Sequence, residues 1–256
     1  MEIVVVSFVT FLAATLTFFS GFGLGTILTP VMMIFFPVEA AIAFTGIVHF
    51  SNNIFKLFII GNNINKEVLV KFGVPAVLTA FLGSWVLFNI NNNIIFYSYE
   101  IMDKIIEVSL INVVISILLI LFALIDLVPF FKNLKFDNKL PLGGFLSGFF
   151  GGLTGNQGAL RSAFLIKLGL KKKVFIGTTV VISTTVDFAR LSVYWTSLSN
   201  TNVHEYYSVA IFAIISGISG SLIGNSLLRK VTLSFIRTLV AVLILLIAFA
   251  LLTGII

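Results

Sequence analysis

Apolar runs of lipid-spanning character recur along nearly the whole chain, and they exclude most architectures. They fall at about Ile3–Phe19, Leu24–Phe36, Ala40–Ile60, Val68–Ile90, Ile105–Val128, Leu140–Leu153, Ala159–Leu168, Val174–Leu198, Tyr206–Leu228 and Leu233–Ile256. In hydrocarbon every backbone amide must be bonded within the protein, so spanning runs become helices or closed barrels. Continuous apolar stretches, rather than short alternating ones, select helices. Only 10% of the 256 residues are charged and mean hydropathy is +1.14, against about 25% charged in soluble domains. The expected fold is therefore an all-α polytopic membrane protein with no soluble domain of useful size. Met1-Glu2 is an acidic start where a cleavable leader would be basic, so Ile3–Phe19 is expected to be a retained helix. The lack of cysteine removes disulfides, thiol catalysis and cysteine metal sites. The net charge of +6 is spread over loops, which argues for topology rather than a nucleic-acid partner.

One pattern is written twice. A glycine-rich break, Ser20-Gly21-Phe22-Gly23-Leu24-Gly25, precedes a helix carrying Thr45, His49, Asn53 and Lys56. A second break, Ser147-Gly148-Phe149-Phe150-Gly151-Gly152, precedes a helix carrying Thr179, Ser183, Asp187 and Arg190. Both sets are spaced four, four and three, so each forms a stripe on one helical face. Ionisable groups in lipid-length segments are costly and mark protected sites. Close helix packing alone would account for the glycines, but not for two aligned polar stripes. The second, sixth and seventh apolar runs fall short of the roughly 20 residues of a full span. They flank the breaks and are expected to be half-helices or re-entrant pieces.

Lysine and arginine set the orientation. Loops after odd-numbered runs hold Lys66 and Lys71; Lys132, Lys135 and Lys139; Lys167 and Lys171 to Lys173; and Arg229, Lys230 and Arg237. Loops after even-numbered runs hold only Lys104, among Glu100, Asp103 and Glu107. The positive-inside rule then puts both termini outside and Leu127–Lys139 in the cytoplasm. Residues 1–130 and 140–256 become two halves of five segments each, joined by a cytoplasmic linker at 131–139. An odd number of segments makes the second half enter from the opposite side. Two inverted repeats with broken helices are a recurring transporter design.

The first motif, SGFGLGTILTP at Ser20–Pro30, and the second, GFLSGFFGGLTGNQG at Gly144–Gly158 followed by KLGLKKKVFIG at Lys167–Gly177, resemble the sulfite exporter TauE/SafE family, the toluene sulfonate uptake permease type. The resemblance covers nearly the whole chain. It implies a secondary transporter, in the export direction, for sulfur-containing anions such as sulfite, sulfonates or sulfoacetate in the cytoplasmic (inner) membrane. It does not imply an enzyme. The family's proline in the second copy is missing here, where Ala159-Leu160-Arg161-Ser162-Ala163 follows Gly158.

Candidate binding residues follow from chemistry. Gly21, Gly23 and Gly25, then Gly148, Gly151, Gly152, Gly155 and Gly158, let the backbone turn inside the membrane. Helices restarting near Thr26 and Ala159 present amide N–H groups and a positive dipole end to an anion. Thr26, Thr154, Asn156 and Gln157 are neutral donors beside them. Arg161 follows the second break, and its planar guanidinium can hold two oxygens of a sulfur oxyanion. A structural pairing of Arg161 with a carbonyl or with Asp187 is the alternative. Lys56, one turn from its helix end, either meets substrate or snorkels to water. Asp187 and Arg190 sit at ion-pair spacing, which favours neutralisation of Arg190 over proton carriage. His49 titrates nearest physiological pH, and Asn52 and Asn53 lie on its face. His49 and His204 are too far apart for a metal motif, and no nucleotide or cofactor motif appears. A coupling proton and a homo-oligomer are compatible with this reading but not specified by it. An intramembrane enzyme, or a membrane subunit of a redox or assembly complex, is the non-transport alternative.

Overall fold

The structure is a computed structural model that describes residues 1–18, 24–60, 63–90, 94–101, 104–127, 139–198, 206–227 and 233–256. Ten helical segments follow one another among them. The first half holds α1 (Glu2–Thr17), α2 (Gly25–Met33), α3 (Val38–Ile60), α4 (Lys66–Asn89, with a π-helical turn at Leu69–Gly73) and α5 (Leu110–Leu127). The second holds α6 (Leu140–Thr154), α7 (Gly158–Leu165, extended by a 3-10 turn to Leu168), α8 (Lys172–Leu198), α9 (Tyr207–Leu227) and α10 (Leu233–Leu252). The stretches Val38–Ile60, Lys66–Asn89, Lys172–Thr196 and Tyr207–Ser226 are long and apolar enough to cross a bilayer, and several other helices are apolar but shorter. At 1.5 Å per residue, the nine residues of α2 and eight of α7 reach roughly halfway through a 30 Å hydrocarbon layer.

The fifth apolar run does not begin in a helix. Ile95–Ile101 (β1) and Lys104–Ser109 (β2) form an antiparallel hairpin, with Tyr97 opposite Val108 and Tyr99 opposite Ile106. β-branched and aromatic residues dominate both strands, which suits an extended backbone. One face packs on the end of α10, where the Tyr99 hydroxyl donates to the Thr253 carbonyl. Ile105 is therefore a strand residue and is 72% exposed; helix resumes only at Leu110.

Several helix pairings recur when the two halves are exchanged, although α2 packs on α3 without an equal contact of α7 on α8. α1 lies along α9 as α6 lies along α4; α3 meets α9 as α8 meets α4; α3 crosses α8, and α5 packs on α10. The apolar residues left outside these contacts, among them Phe8 on α1, Leu78 and Trp85 on α4, Phe212 on α9 and Phe249 on α10, form the lipid-facing belt. The polar residues are turned inward, the inverse of a soluble protein.

Glycines set the closest approaches. A Cβ on Gly144, Gly148 or Gly152 of α6 would lie 2.1, 2.0 and 2.3 Å from the carbonyl oxygens of Phe72, Ala76 and Ala80 on α4. Gly220 of α9 stands in the same relation to Phe11 of α1, at 2.3 Å. These residues allow backbones to touch. Gly148, Gly151 and Gly152 thus lie inside helix α6 and do not turn the chain, contrary to the expectation from sequence. In the second break only Gly155 has a left-handed backbone, at φ 76°.

Candidate anion site

The two breaks meet where α3 crosses α8. The Thr26 hydroxyl donates to Asn156 Oδ1 at 3.1 Å, and a Cβ on Gly25 would lie 3.3 Å from the Gly155 carbonyl. α2 starts at Gly25 and α7 at Gly158, one residue before each expected restart. Gly21 and Gly23 lie outside the described residues.

Asp187 is the hub. Its carboxylate is fully buried. One oxygen accepts Arg190 Nε at 3.0 Å and Gln157 Nε2 at 2.9 Å, with Arg190 Nη2 at 2.8 Å. The other meets His49 Nδ1 at 2.6 Å and accepts Asn53 Nδ2 at 3.1 Å. A carboxylate accepts only, so the 2.6 Å contact places a proton on His49 Nδ1 and makes Nε2, 3.5 Å from Asn53 Nδ2, the ring's acceptor when the imidazole is neutral. The two stripes thus join through Asp187, His49 and Asn53. Asp187 does more than neutralise Arg190: it ties α3, α7's leading turn and α8 together. Tyr194, one turn beyond Arg190, donates to the Gly152 carbonyl.

A small cavity lies on the Ile60 side of this hub. Thr17, His49, Asn53, Lys56, Arg161, Thr179 and Ser183 supply its polar lining, with Phe18, Ile176 and Val180. Its volume of about 20 Å³ holds roughly one water molecule and is too small for an oxyanion of four heavy atoms. Lys56 does not reach water. It is 4% exposed, with Nζ 5.3 Å from the centroid of Phe18, because the α1 end closes over it. The hydrated snorkelling position expected from sequence is thereby corrected. Arg161 is 2% exposed and donates from Nη1 to Gln157 Oε1 at 3.2 Å, so Gln157 bridges Arg161 to Asp187.

Several expected donors hold the break together and lie off the cavity. Thr154 donates to the Phe150 carbonyl and accepts from the Asn156 amide. The Gln157 carbonyl accepts from Ser147 Oγ. Gly151 and Gly152 back the site through α6, the Gly151 carbonyl facing Arg190 Nη1 at 3.5 Å. Asn52 is turned to α9, where its Oδ1 accepts from Ser221 at 2.7 Å. Sequence reasoning missed Thr17 and Phe18 in the lining; only their position just before the first break pointed to them.

Charge decides what the cluster can hold. Lys56, Arg161 and Arg190 are each at most 4% exposed, and Asp187 is the only fully buried carboxylate among the described residues. With His49 neutral, three cations face one anion, which leaves two positive charges in excess. Among the described residues no group of His, Cys, Asp and Glu could hold a metal. A polytopic helical protein with broken helices around a buried, net-positive cluster has the organisation of a membrane transporter for anions. The chain matches the family model of the sulfite exporter TauE/SafE over residues 6–251 and belongs to that family, which makes it a multi-pass membrane transport protein. No curated protein and no solved structure matches it significantly.

Proposed function

We propose that the protein moves a small sulfur-containing anion, sulfite or a sulfonate such as sulfoacetate, across the cytoplasmic membrane in the export direction. The observation that carries this reading is the excess of two positive charges among the buried side chains of Lys56, Arg161, Arg190 and Asp187. A net excess of buried charge is costly, and a bound anion of charge −1 or −2 would offset it. Arg161 supplies the planar two-oxygen contact, Lys56 a point charge, and Thr179 and Ser183 neutral donors.

The transport cycle is alternating access between two inverted halves, residues 1–130 and 140–256, linked through the cytoplasmic 131–139. Its support is the pairing of helices that survives exchange of the halves. Contacts between segment ends that the lysine-derived topology puts on one side support the same reading. Phe36 meets Tyr206 at 4.8 Å between ring centroids on the outer side, and the Asn65 amide meets Thr178 Oγ1 at 2.8 Å on the inner side. The His49–Asp187 pair is the group through which a proton would couple to the anion.

The test is flux into proteoliposomes of purified protein for sulfite, sulfonates, thiosulfate and carboxylates, with and without a pH gradient. Saturable sulfite or sulfonate flux is the expected result. Flux of carboxylates alone, or of nothing, would refute the substrate class. Dependence of sulfite flux on the pH gradient would assign the coupling ion.

A further inference from the structure

Threonine in a lipid-facing helix normally silences its hydroxyl by donating to the carbonyl four residues back. Thr10, Thr17, Thr154 and Thr178 all do so here, at 2.6 to 2.9 Å. Thr29 and Thr45 do not. Thr29 is 1% exposed and Thr45 fully buried, yet neither Oγ1 has a hydrogen-bond partner. A buried hydroxyl left unsatisfied is costly and uncommon in a folded protein, so two of them on adjoining helices call for a ligand.

Thr29 lies beside Arg190, and Thr45 lies on α3 next to Gly46, which faces Arg190. A Cβ on Gly155 would stand 3.0 Å from Thr29 Oγ1 and 3.3 Å from Arg190 Nη1, so hydroxyl and guanidinium converge on one point. The Thr45 side chain reaches the crossing of Gly25 with Gly155, its methyl 3.7 Å from a Cβ on Gly25. The next residue, Gly46, backs directly onto Arg190 Cζ. Exchange of the halves gives an independent reason. It sets Arg190 against Lys56, Thr45 against Thr179, and α2 against α7, the helix that carries Arg161. Lys56, Thr179 and Arg161 line the cavity.

We propose that Arg190, Thr29 and Thr45 form a second oxyanion subsite on the Phe36–Tyr206 side of Asp187, closed in this structure and opened when that side gives access. The inference rests on the anion-transport reading above. An anion released from Lys56 and Arg161 would pass to Arg190, whose Nη1 faces Thr29 while its Nε and Nη2 stay on Asp187. The two hydroxyls would donate to the oxygens that remain.

Thr→Val keeps the shape and removes only the hydroxyl, so a structural role and a ligand role predict opposite signs. The experiment uses the full-length protein in oriented proteoliposomes, with radiolabelled sulfite as probe. Thr29→Val, Thr45→Val and the double variant are compared with Thr10→Val, whose hydroxyl is internally bonded. The expected double variant is as heat-stable as wild type or more so. Its half-saturating sulfite concentration should rise ~10-fold or more on one face and change less than ~2-fold on the other. An unchanged affinity on both faces, or an equal loss on both, would overturn the second subsite while leaving transport intact. Wild-type protein that neither binds nor moves sulfite, sulfonates or thiosulfate would overturn the functional reading, and this inference with it. Should either single variant fail to fold, Thr29→Ala and Thr45→Ala measured the same way decide the point.

Discussion

Replacing Asp187 by asparagine keeps the size of the side chain and removes its charge, at the place where, among the described residues, the two halves share an ion. The carboxylate takes Arg190 through two nitrogens, Gln157, His49 and Asn53, all within 3.1 Å. At a separation near 4 Å between charge centres and an effective dielectric of 20, the pair with Arg190 alone is worth about 4 kcal/mol. The amide also turns one acceptor into a donor. Arg190 and His49 approach from opposite sides with protons of their own, so one oriented donor must meet another. Breaking a buried pair from one side costs about 3–5 kcal/mol, and both considerations give that size. The assay is thermal unfolding of purified Asp187→Asn in detergent, beside sulfite flux. A large fall in stability with loss of flux is expected. The double variant with Arg190→Gln should regain most of the stability and none of the flux, because the pair is then neutral but the site has lost a cation. A single variant within about 1 kcal/mol of wild type would refute the hub, since no carboxylate with these contacts can be lost so cheaply.

Arg161→Ala should abolish sulfite flux in a folded protein, a loss of roughly 1.5–3 kcal/mol or more of binding, and Arg161→Lys should rescue it poorly because an ammonium lacks the planar fork; near-normal sulfite affinity in Arg161→Ala would remove the residue from the site. Lys56→Gln should weaken sulfite binding at least ~10-fold, since Lys56 is as enclosed as Arg161 and a desolvated charged contact has that worth; a titration of sulfite-dependent flux reads it. Gly148→Ala puts a methyl 2.0 Å from the Ala76 carbonyl and 2.4 Å from Thr79 Oγ1, and should lower stability by about 1–3 kcal/mol, measured by unfolding in detergent. A cysteine at exposed Ile105 should react with an impermeant maleimide added outside intact cells, and one at exposed Lys173 should not; the reverse pattern would invert the topology.

Much of the fold was legible because lipid leaves few choices. The limits of α2, α3, α6 and α8 fall within a few residues of the apolar runs, since a helix must cover the whole of an apolar stretch. The hairpin was not legible: Ile105, Ile106 and Val108 read as a continuation of the helix from Leu110. Only the strand-forming run Ile95-Phe96-Tyr97 before them hinted at an extended partner. The glycines misled in a different way. Gly148 and Gly152 share a motif with Gly155, but a helix-packing glycine and a turning glycine look the same until the carbonyls of α4 are in place. The stripes were legible from spacing alone. Which residues they joined was not, because the His49–Asp187 contact spans helices far apart in sequence. Gln157 illustrates the limit: its composition said donor for an anion, whereas its geometry makes it a strut between Arg161 and Asp187.

The cluster also says why the two halves need each other. Neither half has a balanced site: the first supplies His49, Asn53 and Lys56, the second Arg161, Asp187 and Arg190. In the first half Lys56 has no buried carboxylate among its own described residues, and in the second Arg161 and Arg190 outnumber Asp187. Bringing the halves together adds positive charge to positive charge, which low dielectric makes unfavourable, and the helix crossing must supply the compensation. Asp187 does so for Arg190 and accepts from His49 across the interface, and Gln157 ties Arg161 to the same carboxylate. Apolar residues of similar volume would have packed this crossing at lower cost. On the proposed function, the counter-charge to the positive excess of Lys56, Arg161 and Arg190 over Asp187 would come from the transported anion. The anion would then be part of the electrostatic completion of the interface. On this proposal its arrival on either side of Asp187 would change which half of the crossing is neutral, and so which half can close.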